Sequence, residues 1–109
     1  MARFVAGELV VVPFPFSDLS NSKRRPALVL ASLTGNDVIL CQITSQMIKD
    51  NYAVSVDSAD LSEGELKVSS NIRPNRIFTA DSGIILYKLG VVSATKMNDV
   101  RRAVIEILT

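Results

Sequence analysis

The sequence contains no histidine and a single cysteine, Cys41. Without imidazole, any chemistry that the chain performs must proceed without histidine as acid, base or metal ligand. One cysteine excludes a disulfide framework and a multi-cysteine zinc site, and it fits a reducing compartment such as the cytoplasm. Cys41 lies in an apolar run with no histidine to activate it, so we expect a buried structural cysteine.

Several functional signatures are also missing. No run reaches 18 apolar residues, and no basic segment near the start of the chain is followed by an apolar one. These absences argue against a membrane span, a secretory signal and a membrane partner. There is no Gly-rich phosphate loop. The scattered carboxylates argue against a zinc or two-metal hydrolase, and those in the segment 57–65 are expected to form a solvated acidic loop.

The 109 residues that are present suffice for one domain. Their charges are unevenly distributed: residues 1–49 carry five Lys or Arg and three acids, residues 50–66 carry five acids and no base, and residues 67–109 carry seven Lys or Arg and three acids. Two interpretations are open. The charges form solvated faces, or the two basic stretches form a polyanion site with the acidic segment elsewhere on the surface.

Short β-like runs dominate the chain. The turn residues 34–37 lie between two apolar runs, which predicts an antiparallel hairpin of Pro26–Ala31 and Val38–Thr44. A strand is also predicted at Glu8–Val12, ending at the prolines of residues 13–15. Further strands are predicted at residues 52–56, 76–79 and 84–89, and loops at residues 16–25 and 61–65.

The end of the chain has a helical period. From Ser93, a predicted N-cap, apolar residues are spaced three and four apart, at Met97, Val100, Val104, Ile107 and Leu108. Short strands followed by one helix predict a mainly β domain, a small and strongly bent barrel with a C-terminal α-helix.

Arginine and hydroxyl groups are the remaining candidates for chemistry. Arg25 begins a predicted strand and is fixed from behind by Pro26, so its guanidinium could bind phosphate oxygens. Thr44 and Ser45 end the partner strand, and antiparallel pairing would place Thr44 at the same end of the barrel as Arg25. The alternative for Arg25 is an ordinary surface ion pair.

Two segments near the start of the chain carry a family resemblance. Gly7–Phe14, followed after a polar loop by Lys23–Ser32 with its Arg-Pro-Ala-Leu-Val-Leu run, resembles the opening of the PemK/MazF toxins of bacterial type II toxin–antitoxin systems. The likeness continues through residues 41–45, 69–74 and 79–81, and ends with the Leu-Gly-Val-Val-Ser run before the last helix. It covers nearly the whole chain, as one domain over residues 1–109.

The resemblance implies an SH3-like barrel that forms a homodimer, cuts single-stranded RNA at specific short sequences without a metal or other cofactor, and inhibits growth. In the family the 2′-hydroxyl attacks the adjacent phosphorus and leaves a cyclic phosphate and a 5′-hydroxyl. The catalytic Arg and Thr of the family map to Arg25 and Thr44. A cognate antitoxin typically lays an acidic segment across the RNA groove.

The same resemblance suggests roles for individual side chains. Arg25 would bind the scissile phosphate, and Thr44 would hydrogen-bond one of its oxygens. Arginine is a poor base because its pKa exceeds about 12, so the general base stays open. RNA contacts are expected from Lys23, Arg24, Ser45, Ser70, Arg73, Arg76 and Phe16. A role in supporting the fold is an equal alternative for Ser70, Arg73 and Arg76, and packing is one for Phe16.

The chain also departs from the family pattern. Where some members carry Arg-x-Asp, it has Arg73 and Asn75, and asparagine cannot act as a carboxylate base. The histidine of some members is missing, and residues 13–18 replace the Gly-rich first loop of many relatives. A different class of function therefore stays open: a non-catalytic nucleic-acid or protein-binding module of the same fold, including a toxin that blocks DNA gyrase.

Overall fold

Seven strands and a C-terminal helix make up the computed structural model, which describes residues 4–14 and 23–109. The strands are β1 (Glu8–Phe14), β2 (Lys23–Ser32), β3 (Asp37–Thr44), β4 (Val54–Val56), β5 (Leu61–Gly64), β6 (Ser70–Asp81) and β7 (Tyr87–Val92). Two short 3-10 turns, Ser58–Asp60 and Ser82–Ile84, precede β5 and β7, and helix α1 spans Ala94–Leu108.

The strands form one antiparallel sheet in the order β4-β6-β3-β2-β1-β7-β5. The sheet curls into a half-barrel, and the helix follows β7, the last strand in the chain. This confirms the predicted mainly β class and the C-terminal helix. No helix among the described residues is long and apolar enough to cross a membrane.

Central strands alternate between two apolar clusters. Leu9, Leu28 and Cys41 belong to a cluster that includes Met97 and Val100 of the helix. Their sequence neighbours, such as Val10, Ala27 and Leu40, belong to a second cluster, which Phe4, Phe78, Ala80, Ile84 and Ile85 pack against. Successive side chains of a strand point to opposite faces, so strands with both faces buried need continuous apolar runs.

The predicted central hairpin is confirmed. Strands β2 and β3 pair from Ala27↔Gln42 to Ser32↔Val38, and the turn contains Gly35 at φ +82°. A left-handed φ favours glycine, which explains the turn signal in the sequence. The predicted Cys41 interior position is also confirmed, since its side chain has no exposed surface.

Strands β1 and β2 extend further than predicted. β2 begins at Lys23, although residues 16–25 were expected to be a loop, and β1 continues past Pro13 to Phe14. Pro13 pairs with Arg24, while the ladder between β1 and β7 ends at Val11. Beyond Val11 the missing N–H of proline therefore faces no second strand among the described residues.

Strand β6 is much longer than the predicted residues 76–79. Its pairs with β3 jump from Ile43↔Ile72 to Cys41↔Ile77, so residues 73–76 bulge out of the ladder. Pro74 lies in this bulge, where its lack of an N–H costs no ladder hydrogen bond. Proline in the run hides the strand from sequence analysis.

The segment predicted as a loop at residues 61–65 is instead strand β5, which pairs with β7 at the edge of the sheet. Its serine and acid side chains are exposed, and the backbone of Gly64 lies against Leu89 and Gly90. A Cβ atom on Gly64 or Gly90 would collide with the neighbouring backbone. The composition is polar because this is an exposed edge strand, and glycine permits the close approach.

The helix begins as predicted. The Ser93 hydroxyl oxygen accepts a hydrogen bond from the backbone N–H of Lys96, at 3.1 Å. Of the five apolar positions that predicted the helix, Met97 and Val100 are buried, whereas Ile107 and Leu108 are exposed in the isolated chain. Val104 is partly buried and packs against the same cluster as Met97 and Val100. The apolar spacing therefore marks a face that packs on the core as far as Val104 and is exposed beyond it.

Candidate functional site

Arg25 and Thr44 lie together in a surface groove of about 690 Å³. The pairs Leu28↔Cys41 and Ala27↔Gln42 set the register of β2 and β3. Continued by two residues, this register places Arg25 opposite Thr44 at the end of the hairpin. Both residues also line a smaller cavity of about 270 Å³ beside the groove. The structure therefore brings together the two residues that were predicted to form the catalytic pair.

The backbone around Arg25 holds the residue at the rim of the sheet. Arg25 pairs with Val12 of β1, whose side chain is 1% exposed. Pro26, which follows it, pairs with Val11 and has no N–H to donate. Because residues on a packed strand lose little further freedom on binding, the Arg25 guanidinium is better placed for a phosphate than one on a flexible loop.

Four cationic side chains line the groove: Lys23, Arg24, Arg25 and Lys67. None of them forms an ion pair with an acid in the part of the chain that the structure describes. The groove also contains one acid, Glu65, so its cations outnumber its acids by four to one, and an excess of positive charge in a concave surface attracts a polyanion. The predicted contacts Lys23 and Arg24 thus lie on the same surface as Arg25, and this surface can bind a chain of phosphates.

Two groove residues were missed by the sequence analysis, Lys67 and Tyr87. Lys67 follows the acidic segment, and Tyr87 begins β7 with a side chain that is 47% exposed. Neither belongs to a motif; Lys67 was noted only as one of seven basic residues in the last stretch. An exposed aromatic ring in a basic groove is able to stack on a nucleobase.

The polyanion interpretation placed the acidic segment, residues 50–66, apart from the basic stretches, and the structure shows instead that the two are in contact. Asp50 contacts Arg73 at 3.2 Å, Glu63 contacts Lys88 at 3.0 Å, and Asp60 contacts Lys96 at 3.6 Å. A fourth acid, Glu65, lines the groove itself. Three acids of this segment therefore pair with Arg73 of β6, Lys88 of β7 and Lys96 of the helix, and none of the five forms an ion pair with a groove cation among the described residues.

The hydroxyl groups of the site have different surroundings. The Thr44 Oγ1 atom accepts a hydrogen bond from the backbone N–H of Gln46, at 3.2 Å. The Thr44 hydroxyl donates to no other described residue, so its proton can be donated to an oxygen of a ligand. Ser45 is exposed in the groove. Ser70 lines the groove but is buried, and its hydroxyl donates to the carbonyl of Val68 at 2.9 Å. This bond gives Ser70 a role in the fold.

The predicted RNA contacts Arg73 and Arg76 both lie in the β6 bulge but have different surroundings. Arg73 lines the smaller cavity, where its Nη2 atom donates to Asp50 and its buried Nε has no hydrogen-bond partner among the described residues. Arg76 is exposed and lines neither the groove nor the smaller cavity. Phe16 lies outside the described residues.

Asp50 links the β3–β4 loop to strand β6 through its contact with Arg73. Partial burial raises its pKa, but hydrogen bonds from the N–H groups of Tyr52 and Ala53 and from Arg73 outweigh this and lower the pKa below the usual carboxyl range. The group is therefore ionised at neutral pH and fixes the Arg73 side chain.

Cys41 and the carboxylates form no second reactive site among the described residues. Burial raises the pKa of the Cys41 thiol to about 12, so at neutral pH it is not a thiolate nucleophile. Within residues 4–14 and 23–109, no group of three His, Cys, Asp or Glu side chains is placed to hold a metal ion.

Comparison with solved structures shows the same architecture in known toxins. An endoribonuclease from a mycobacterial species superimposes with a TM-score of 0.76 at 18% identity, covering 99% of this chain and 93% of that one. MazF in a MazE–MazF complex from Deinococcus radiodurans gives a TM-score of 0.77 at 23% identity, covering 96% and 95%. A mycobacterial endoribonuclease in complex with its cognate antitoxin gives 0.75 at 16% identity, covering 99% and 95%.

A comparison with curated protein sequences gave no match. A family model does match, however, and it spans residues 6–108. Its description is the PemK-like, MazF-like toxin of type II toxin–antitoxin systems. The match includes the whole sheet, the helix and every described residue of the groove, and the chain belongs to this toxin family.

Proposed function

We propose that the chain is an endoribonuclease toxin that cleaves single-stranded RNA in the groove between β2, β3 and β7. The observation that carries the proposal is the position of Arg25 and Thr44 in one concave surface with three further cations, Lys23, Arg24 and Lys67. Structural relatives described as endoribonucleases support it.

In the proposed reaction the 2′-hydroxyl oxygen of one nucleotide attacks the phosphorus that links it to the next. A bond forms between the 2′-oxygen and phosphorus, and the bond from phosphorus to the 5′-oxygen breaks. The 2′-hydroxyl loses its proton and the departing 5′-oxygen gains one. The products are a 2′,3′-cyclic phosphate and a 5′-hydroxyl.

The residues of the groove act on charge and position in this scheme. The Arg25 guanidinium binds the nonbridging oxygens and stabilises the negative charge that grows on them in the transition state. The free hydroxyl proton of Thr44 is donated to a nonbridging oxygen or to the departing 5′-oxygen. Arg25 stays protonated, so its contribution is electrostatic and it does not remove the proton.

The experiment incubates the purified protein with mixed single-stranded RNA in excess EDTA and maps the product ends. Discrete cuts with 5′-hydroxyl ends are expected from the wild type and from Arg102→Ala, and no cuts from Arg25→Ala. Arg102 is an exposed helix residue outside the groove, which makes it a matched control for loss of one positive charge. Intact RNA with folded wild-type protein would overturn the proposal and leave a binding function for the groove.

Growth inhibition and partners form the second part of the proposal. Expression of the wild type should arrest bacterial growth, and expression of Arg25→Ala should not.

We further propose that an acidic segment of a cognate antitoxin binds the basic groove, since solved relatives occur in complexes with antitoxins. The chain is proposed to act as a homodimer in the cytoplasm; a light-scattering mass near the 11.8 kDa of one chain would contradict the dimer.

A further inference from the structure

The smaller cavity beside the groove has a composition of its own. It shares Arg25, Pro26, Ile43 and Thr44 with the groove, so the two spaces meet at the proposed scissile phosphate. Its volume of about 270 Å³ lies just below the range of about 300–1,000 Å³ that is typical of pockets for whole small molecules. A space of this size suits a single ring system attached to a larger ligand.

Both glutamines of the sequence line this cavity. Gln42 lies on β3 at the bulge against β6, and Gln46 lies in the loop after β3. Neither side-chain amide hydrogen-bonds to another described residue, so each keeps its donor and its acceptor for a ligand. Carboxamides of this kind can form paired hydrogen bonds with the edge of a nucleobase.

The loop that carries Gln46 is held in place. The Gln46 N–H donates to Thr44 at 3.2 Å, and its carbonyl accepts from the Asn71 side chain at 3.2 Å. Further along the loop, Asp50 contacts Arg73 of β6. A ligand therefore meets a wall whose backbone is already ordered, which lowers the entropic cost of binding.

Charge in the cavity favours a neutral group. Arg73 is neutralised by Asp50, whereas Arg25, at the boundary with the groove, has no such partner among the described residues. A phosphate is therefore attracted to the boundary more strongly than to the interior. The interior offers the apolar surfaces of Ile48 and Phe78.

We propose that this cavity binds the nucleobase of a nucleotide next to the phosphate held by Arg25, and that Gln42 and Gln46 select which base it is. The inference rests on the proposed RNA-cleaving function and adds to it the residues that set the cut sequence. Apolar contact with the cavity walls holds any base, and the two amides distinguish its edge.

The first test measures binding without requiring cleavage. Side-chain amide signals of Gln42 and Gln46 are assigned by NMR with the single alanine variants, and the protein is titrated with the four ribonucleoside monophosphates and with ribose 5-phosphate. We expect the glutamine signals to shift more with one nucleotide than with the other three. With ribose 5-phosphate, we expect them to shift no more than the other signals of the groove do. Equal glutamine shifts with ribose 5-phosphate and all nucleotides would overturn the base pocket.

The second test maps cut sites. Wild-type cuts should share a base at one fixed position, and Gln46→Ala should reduce that preference by about tenfold while cleavage continues. Gln42→Ala should act at the same position, and Asn98→Ala, an amide on the helix, should leave the cut sites unchanged. Identical cut-site profiles for wild type and both glutamine variants would refute the inference while leaving the ribonuclease proposal intact. Absence of wild-type cleavage would refute the ribonuclease proposal, and the binding titration would still decide on the pocket.

Discussion

The groove cations predict how strongly salt weakens RNA binding. Each phosphate that a protein neutralises on a single strand lowers log Kobs by about 0.7 per unit of log salt concentration, because counterions are released. Lys23, Arg24, Arg25 and Lys67 line the groove without a described acidic partner. If each of the four contacts one phosphate, the slope is about −2.8, which is about a 50-fold loss of affinity between 50 and 200 mM salt.

Replacing Lys67 by alanine tests this reasoning at a position that no motif identified. Lys67 is exposed, so the substitution should leave the fold unchanged. The slope should fall in magnitude to about −2.1, and the loss of affinity over the same salt range to about 20-fold. Binding at low salt should weaken for RNAs of every sequence alike, because a phosphate contact carries no sequence information.

The assay is fluorescence anisotropy with a labelled single-stranded RNA whose 2′-oxygens are methylated, so that it binds but lacks the attacking hydroxyl. Affinity is measured at several salt concentrations for the wild type, Lys67→Ala and the control Arg102→Ala. Arg102 lies on the helix, and its loss should leave the slope unchanged. An unchanged slope for Lys67→Ala, or an equal change for Arg102→Ala, would show that the RNA does not follow this groove.

Three further predictions concern the fold and its ionisable groups. Gly90→Ala should lower the free energy of unfolding by about 3 kcal/mol or more, because its Cβ would meet the Glu63 backbone; Gly35→Ala, with open space but a positive φ, should cost about 1 kcal/mol, and equal urea midpoints for the two would contradict this. The pKa of Asp50 is lowered in the folded protein, so its ionised form stabilises the fold at pH values above the unfolded pKa, and this stability is lost as pH falls through the folded pKa. Urea midpoints measured at decreasing pH should therefore fall more steeply below about pH 4 for the wild type than for Asp50→Asn. Cys41 should resist a thiol reagent at pH 8 in the native protein and react on unfolding, and rapid native labelling would show that the core opens there.

Much of the candidate site could be predicted from local sequence. The Arg-Pro start of β2, the turn around Gly35 and the length of the next apolar run together fix the register of the hairpin, whose open end brings Arg25 and Thr44 into one groove. The roles of these residues in cleavage stay a prediction. Lys67 and Tyr87 could not be found in this way. Tyr87 reaches the groove because β7 pairs with β1, and Lys67 reaches it from the connection between β5 and β6.

Arg73 and Asp50 show a different limit. One of the two interpretations of the charge pattern placed the acidic segment elsewhere on the surface, whereas the structure pairs Asp50 with Arg73 across 23 residues. No strand was predicted at residues 70–75, which form the first half of β6 and include Pro74. The sheet accommodates Pro74 in a bulge that gives Arg73 and Arg76 different surroundings. A bulge depends on the partner strand, so its position is not readable from one segment alone.

The sequence by itself determined the class of fold, the central hairpin, the helix N-cap and the resemblance to PemK/MazF toxins. These depend on interactions between near neighbours: alternating or continuous apolar runs, a left-handed glycine turn and a hydroxyl that caps a helix. Only the tertiary structure decided the order of the strands, the pairing of β5 with β7, the neutralisation of the acidic segment and the cavity lined by both glutamines. These depend on contacts between distant segments, whose free energies combine through packing and charge and leave no local pattern in the chain.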